Sequence, residues 1–381
     1  MKVEIKKEAY EKLKRHFPWI YQNEILEAPK CDSGSVVDFV YKGEFVAVGF
    51  FNSKSKIAGR VLSFKKVLVD KGFFEERIKR ATGKREIFKK ITNSYRLIHS
   101  EADFLPGLIV DRYGDNLVVS FTTAGMDNFK GVIVEILIDV LAPKGIYEKG
   151  DKIREKEGLE VISQTLYGEV DDEFVIKENG KKFLTYLKEG QKTGFFLDQR
   201  KNRKIVGGYG NKRTLDLFAN AGGFGIYARA LFTKFVEISP LACSLIERNC
   251  ELNNLDNYEI VREDVFKFLE KEKEKYDLIV VDPPAFAKTK AAKKGAIRGW
   301  KYLIVNSLKL LEDGGYLALF SCSHSVSEKD LLDLALSSSL IEGCELEVVE
   351  FLKQDIDHPY ILSIPNSLYL RGVLLRRIDE A

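Results

Sequence analysis

Three short strings carry the residues that could do chemistry. Thr214-Leu215-Asp216-Leu217-Phe218-Ala219-Asn220-Ala221-Gly222-Gly223-Phe224-Gly225 is an apolar run ending in an acid, followed by a glycine-rich turn and a helix start. Backbone N–H groups and a helix N-terminus at such a turn face a nucleotide-like cofactor. Val280-Val281-Asp282-Pro283-Pro284-Ala285-Phe286 and Phe320-Ser321-Cys322-Ser323-His324 each fall where a strand should end. Together the three strings predict a methyl donor, a flat base and a thiol nucleophile.

The cofactor prediction rests on a set of acids. The strand after the glycine turn ends Phe235-Val236-Glu237-Ile238, placing Glu237 21 residues after Asp216, where an acid can accept both ribose hydroxyls. Asp264 ends the third strand and could meet an adenine amino group. Phe218, Ala219, Gly222, Gly223 and Phe224 in the turn, with Ile238 and Val265 beside the later acids, complete the expected lining. Three acids at successive strand ends share one edge of a parallel sheet, where ligands bind. The turn lacks Lys-[Ser/Thr], so it is no P-loop. A tight strand–helix turn without a ligand is the alternative. The combination resembles the class I S-adenosylmethionine-dependent methyltransferases, which implies S-adenosyl-L-methionine as cofactor.

Two prolines stop the fourth strand's ladder and pin the Asp282 carboxylate at the sheet edge. Asp282-Pro283-Pro284-Ala285-Phe286 resembles the (Asp/Asn)-Pro-Pro-(Phe/Tyr) element that holds a planar substrate in methyltransferases, and Phe286 could stack on a base. Cys322 ends the fifth strand, next to the fourth in this fold class. Carbon 5 of a pyrimidine is a poor nucleophile. A thiolate adding to carbon 6 pushes electron density onto carbon 5. An ordinary thiol, pKa ~8.5, is mostly protonated at neutral pH, so the donor's charge, Arg200 or His324 is expected to favour thiolate. Asp282 would hydrogen-bond N3 or the amino group of a cytosine. A buried strand-end cysteine with a packing role is the alternative, and Cys31, Cys243, Cys250 and Cys344 are read as packing.

Residues 285–301 hold six Lys/Arg and no acid directly after this strand, so Lys288, Lys290, Lys293 and Arg298 are expected to contact phosphates. Residues 65–90 hold ten Lys/Arg against four acids, which suits either a solvated helix face or an RNA-facing one. Net charge of +3 alone decides nothing about nucleic acid. Five cysteines with no C-x-x-C pair, and four scattered histidines, argue for free thiols and no metal. There is no 18-residue apolar run and no signal-peptide pattern, so no membrane partner and a cytoplasmic location are expected.

At 381 residues two or three domains are expected. Residues 1–64 read as mostly β, with strands at 35–41, 45–51 and 57–64, closed as a small barrel. A basic helix is expected over 72–93, strands at 108–113 and 116–121, a helix over 129–141 stopped by Pro143, and two strands within 159–187. After Gly190 strands (213–218, 233–238, 258–261, 277–282, 315–321) alternate with helices (223–231, 240–253, 264–271, 299–312), the signature of a parallel sheet. Residues 345–352 and 368–378 suit a closing hairpin pair.

Longer strings extend the resemblance over nearly the whole chain. His16-Phe17-Pro18-Trp19-Ile20-Tyr21, Ser100-Glu101-Ala102-Asp103-Phe104-Leu105-Pro106-Gly107, Gly194-Phe195-Phe196-Leu197-Asp198-Gln199-Arg200, Asp357-His358-Pro359 and Tyr369-Leu370-Arg371-Gly372 join the motifs above. The chain is similar to the bacterial large-subunit ribosomal RNA cytosine-C5 methyltransferase family that carries an N-terminal PUA domain. The resemblance implies an α/β fold: a PUA-like RNA-binding barrel over 1–70, a central α/β domain over 71–190 and a Rossmann-like methyltransferase domain over 191–381. It implies that Asp198, Gln199 and Arg200 contact S-adenosylmethionine, that Pro283, Pro284, Phe286 and His324 meet the substrate, and that the partner is 23S-type ribosomal RNA, naked or in an early assembly particle, with monomer and homodimer both open. Two departures stand out: Ser325 where many members carry a second histidine, and Ala285 where other RNA cytosine-C5 methyltransferases carry a second cysteine. A methylase of an exocyclic base nitrogen and a non-enzymatic assembly factor remain alternatives.

Overall fold

The computed structural model describes residues 1–190, 192–284, 293–323 and 326–378. The chain forms two compact units. One comprises Met1–Ile176, Tyr186–Leu197 and Ile356–Ser367, and the other Lys177–Thr185, Asp198–Asp355 and the chain from Leu368.

The first unit contains two sheets. Its N-terminal sheet has six strands running in the order Trp19–Ile20, Gly59–Ser63, Glu44–Phe51, Ser35–Tyr41, Lys2–Ile5, Ile25–Glu27. The two outermost strands are separated by only residues 21–24, a span of at most about 19 Å. A flat six-stranded sheet would be about 24 Å wide, so this one curls around its core of Val3, Ile5, Phe39, Ala47 and Val61. The helix Lys7–Lys14, eight residues set among strands, was not anticipated; it turns Ala9 and Leu13 inward.

The second sheet orders Gln164–Gly168, Gly145–Glu148, Asn116–Phe121, Leu108–Tyr113 and Ser94–His99. Helices Lys71–Lys84 and Lys130–Leu141 share its core through Phe74, Ile78, Ile133 and Leu137. The expected single helix over 72–93 is broken. Arg85 turns its guanidinium inward onto both oxygens of Asp103, at 2.7 Å each, and the chain continues as a 3-10 turn, Glu86–Lys90. Residues 159–187 hold three strands rather than two, Gln164–Gly168, Glu173–Glu178 and Lys181–Tyr186. Gly168, with φ +58°, ends the first of them.

In the second unit we number elements in chain order. The strands are β1 (Arg213–Leu217), β2 (Phe232–Glu237), β3 (Tyr258–Arg262), β4 (Tyr276–Val281), β5 (Leu311–Ser321), β6 (Glu345–Lys353) and β7 (Arg371–Ile378). The helices are α1 (Arg200–Gly207), α2 (Gly223–Ala228), α3 (Pro240–Leu252), α4 (Val265–Lys271), α5 (Lys293–Leu310) and α6 (Glu328–Glu342). The sheet order is β3-β2-β1-β4-β5-β7-β6, with only β7 running against the other strands. Near-continuous apolar strands such as Leu278–Val281 are what a sheet covered on both faces requires. Helix α2 stops at Ala228, short of the expected 231, because Arg229 adopts φ +48°. Leu311 and Glu312, expected to be helical, belong to β5, where Leu311 pairs with Tyr276.

The Arg85–Asp103 pair is almost wholly buried. Arg85→Met would leave the buried Asp103 carboxylate with only the half-exposed Lys84 at 3.9 Å, so a loss of about 3 kcal/mol is expected in chemical denaturation.

Candidate active site

The site lies at the C-terminal edge of β1, β2, β4 and β5. The β1–α2 turn is built from left-handed residues: Phe218 (φ +60°), Asn220 (+50°) and Gly222 (+76°). Non-glycine residues rarely sit there, and such conformations collect at ligand-holding turns. Asp216 is buried at the end of β1, and its Oδ2 accepts the Gly225 N–H at 2.8 Å. Gly225 must be glycine, since a Cβ there would lie 2.3 Å from the Phe235 ring. Glu237 accepts the N–H groups of Asn220, Ile238 and Ser239. Asp264 caps α4 by accepting from Phe266 and Lys267. Both acids thus first satisfy local backbone donors, and an ionised carboxylate has further lone pairs to offer a ligand. Ile238, beside Glu237, is 63 % exposed, an apolar surface suited to a planar ring. Val265, Ala219 and Phe224 are buried beneath, with Phe224 packed 4.9 Å from Phe320.

Asp282 and Cys322 directly follow β4 and β5, two hydrogen-bonded parallel neighbours. The ladder's last pair is Val281–Leu319, so Asp282 lies one residue and Cys322 three residues beyond it. Of the five free cysteines, Cys322 alone is exposed. Pro283 is buried and Pro284 exposed. Gln199 donates its amide to Asp282 at 3.0 Å and accepts from Asn202 at 2.6 Å. Asp198 is buried and accepts the Tyr369 hydroxyl at 2.8 Å, while its carbonyl accepts the Asp355 N–H. Arg200 directs its guanidinium at Asp355, at 2.9 Å. Arg203 grips Glu178 through two nitrogens and packs beneath Gly223. Phe286, Lys288, Lys290 and His324 lie outside the described residues, as does the Lys293 side chain, whereas Arg298 is exposed on α5.

Residues 3–64 match the model of a PUA-like domain, and residues 152–367 match that of the S-adenosylmethionine-dependent methyltransferases, more than half of the chain. The chain belongs to the S-adenosylmethionine-dependent methyltransferases. It is 38% identical to "Ribosomal RNA large subunit methyltransferase I" of Aeromonas salmonicida over 380 residues, covering 96% of each chain. The protein of the same name from Escherichia coli is 35% identical over 381 residues, with 96% of each chain covered. Among solved structures, a Streptococcus mutans protein described as a SAM-dependent methyltransferase aligns with a TM-score of 0.84 at 25% identity, over 99% of this chain and 100% of the other. A methyltransferase complexed with SAH aligns with a TM-score of 0.86 at the same identity and coverage.

The donor set fits S-adenosylmethionine, the cofactor of this methyltransferase. A left-handed turn and four acidic residues, Asp198, Asp216, Glu237 and Asp282, gather at this edge, suited to a ligand that carries a sulfonium and an ammonium. Glu237 and the exposed Ile238 stand side by side after β2, an acceptor next to an apolar surface, and would suit a ribose diol and an adenine face. Sequence reading gave no role to Tyr369, Asp355, Asn202 or Glu178. Tyr369 lies in a string quoted for its resemblance, so a signal existed there; for the other three only the fold supplies one.

Burial pushes the Asp216 carboxyl up to about 8; the Gly225 N–H opposes this, and the charges of Asp282 and Glu237 add to it. Between about pH 4 and 8 the folded carboxyl therefore binds a proton that the unfolded chain has lost, so its contribution to stability falls as pH rises through that window. Binding a cation demands the carboxylate. Cofactor binding at pH 6.5 is thus expected to release about one proton, read by calorimetry in buffers of differing ionisation enthalpy. Asp216→Asn keeps the acceptor for Gly225 and should abolish the release, with affinity lowered about tenfold or more.

Proposed function

We propose that this methyltransferase forms 5-methylcytosine in 23S-type ribosomal RNA through a thiol adduct at carbon 6. The observation that carries the reading is Cys322, an exposed thiol at the end of β5 on the cofactor edge, next to the strand that ends in Asp282. The names of the relatives, which describe methyltransferases of large-subunit ribosomal RNA, support the substrate class, and an N-terminal PUA-like domain supports RNA as the ligand. In this reading residues 1–70 grip structured RNA, 71–190 orient it and 191–381 carry the chemistry, in the cytoplasm, on naked RNA or an early assembly particle.

S-adenosylmethionine supplies an electrophilic methyl group on a positively charged sulfur. The Cys322 thiolate adds to carbon 6 of the cytosine, forming a C–S bond and moving the ring electrons onto carbon 5. Asp282 hydrogen-bonds N3 or the amino group and stabilises the adduct. Once carbon 5 carries the methyl, its proton leaves to a base, the C–S bond breaks and the thiolate returns. Pro283 and Pro284 hold the Asp282 carboxylate, Phe286 stacks on the base and His324 orients it. Lys288, Lys290, Lys293 and Arg298 clamp flanking phosphates.

Unmodified 23S ribosomal RNA, incubated with the protein and tritiated-methyl S-adenosylmethionine and then digested, is expected to yield labelled 5-methylcytidine. Cys322→Ala should lower the rate by about a thousandfold or more while leaving cofactor binding intact. Label on a nitrogen would instead assign an exocyclic amine as the acceptor and leave Cys322 a packing residue.

A further inference from the structure

The basic run at 65–90 finds a use in the second sheet of the first unit. A cavity of about 330 Å³ opens there, with Tyr95 and Leu97 in its floor and Lys79, Lys89 and Arg112 in its walls. Its size falls at the lower end of small-ligand sites, roughly 300–1,000 Å³. Three cations face a single acid, Glu86. In an uninterrupted helix Lys79 and Lys89 would lie about 15 Å apart along the axis. The break at Arg85 and the turn Glu86–Lys90 bring both to one cavity.

We propose that this cavity takes one backbone phosphate of the substrate RNA, held on Lys79, Lys89 and Arg112. The proposal rests on the reading of the substrate as RNA and adds a contact surface outside both the PUA-like domain and the methyl-transfer site. The floor is preformed: Tyr95 is 2 % exposed and stacks on Phe88 at 5.7 Å. Arg112 donates Nε–H to the Gly114 carbonyl at 2.7 Å, which fixes the guanidinium plane at the wall. Lys79 and Lys89 pair with Glu75 and Glu86, but these pairs are solvent-exposed, with both lysines more than half open. Exposed pairs are worth only ~0–1 kcal/mol, so a phosphodiester can replace the glutamates, and the released counterions favour the exchange. Convergence of cations from a helix, a 3-10 turn and a strand on one cavity distinguishes the site from a merely solvated basic helix.

The test measures binding of a full-length 23S transcript by the whole protein over a salt series, separately from methyl transfer. Lys79→Glu/Lys89→Glu should weaken binding by about tenfold or more and lower the slope of log affinity against log salt by about 1–2. Lys79→Ala/Lys89→Ala should show a smaller loss of the same kind, with cofactor affinity and thermal midpoint unchanged in both. Lys329→Glu/Lys353→Glu, the same charge change at exposed positions of the second unit, should bind within about twofold of wild type. Equal losses in the two Glu variants, or no loss in either, would overturn the pocket. Wild-type protein that binds the transcript without methylating it would overturn the proposed function while the pocket stands on the variants. Wild-type protein that binds no RNA would overturn both.

Discussion

Parallel pairing of β1, β2, β4 and β5 is the constraint on which the site depends. Parallel strands send their C-terminal ends the same way, so the residue after each strand emerges on one edge. Leu217 pairs in register with both Val236 and Val281, and Val281 with Leu319. Phe218, Ile238, Asp282 and Cys322 are thereby gathered from more than a hundred residues of chain. Both faces of the sheet are covered, which is why Leu278 to Val281 are fully buried, and a one-residue slip would exchange the side chains packed on the two faces.

Charge is handled in two ways around this edge. The two buried arginines of α1 are neutralised by buried acids, Arg200 by Asp355 and Arg203 by Glu178. The acids of the strand ends are turned toward backbone N–H groups or Gln199 instead, and Asp216 is held by burial in its protonated range at neutral pH. Among the described residues the edge is consequently rich in acceptors, an environment suited to a positively charged methyl donor. The first unit has the opposite character along its broken basic helix.

What could be read from the sequence was whatever is written locally. The parallel strands are continuous apolar runs, the glycine turn and Asp-Pro-Pro punctuate them, and Cys322 falls at a strand end by counting. The turn at Gly114-Asp115 likewise separates the strands Leu108–Tyr113 and Asn116–Phe121 as expected. What escaped depends on tertiary partners. Nothing local says that Arg85 leaves its helix for Asp103, or that Asp198 receives the hydroxyl of Tyr369 from 171 residues away. Glu237 and Asp264 were legible as acids at strand ends, but not as acceptors of neighbouring N–H groups. Helix Lys7–Lys14 escaped because it is only eight residues long and set among strands, although Ala9 and Leu13 do mark one helical face.

The central claim is that Cys322 forms a covalent bond to carbon 6 of a cytosine. A 23S transcript made with 5-fluorocytidine tests it most directly. Fluorine cannot leave carbon 5 as a cation, so the final elimination is blocked and the adduct accumulates. The account predicts a denaturant-stable protein–RNA complex that forms only with S-adenosylmethionine present, maps by mass spectrometry to the peptide containing Cys322 and is absent from Cys322→Ala. Methyl transfer to cytosine in normal transcript, with no such complex on the fluorinated one, would contradict it.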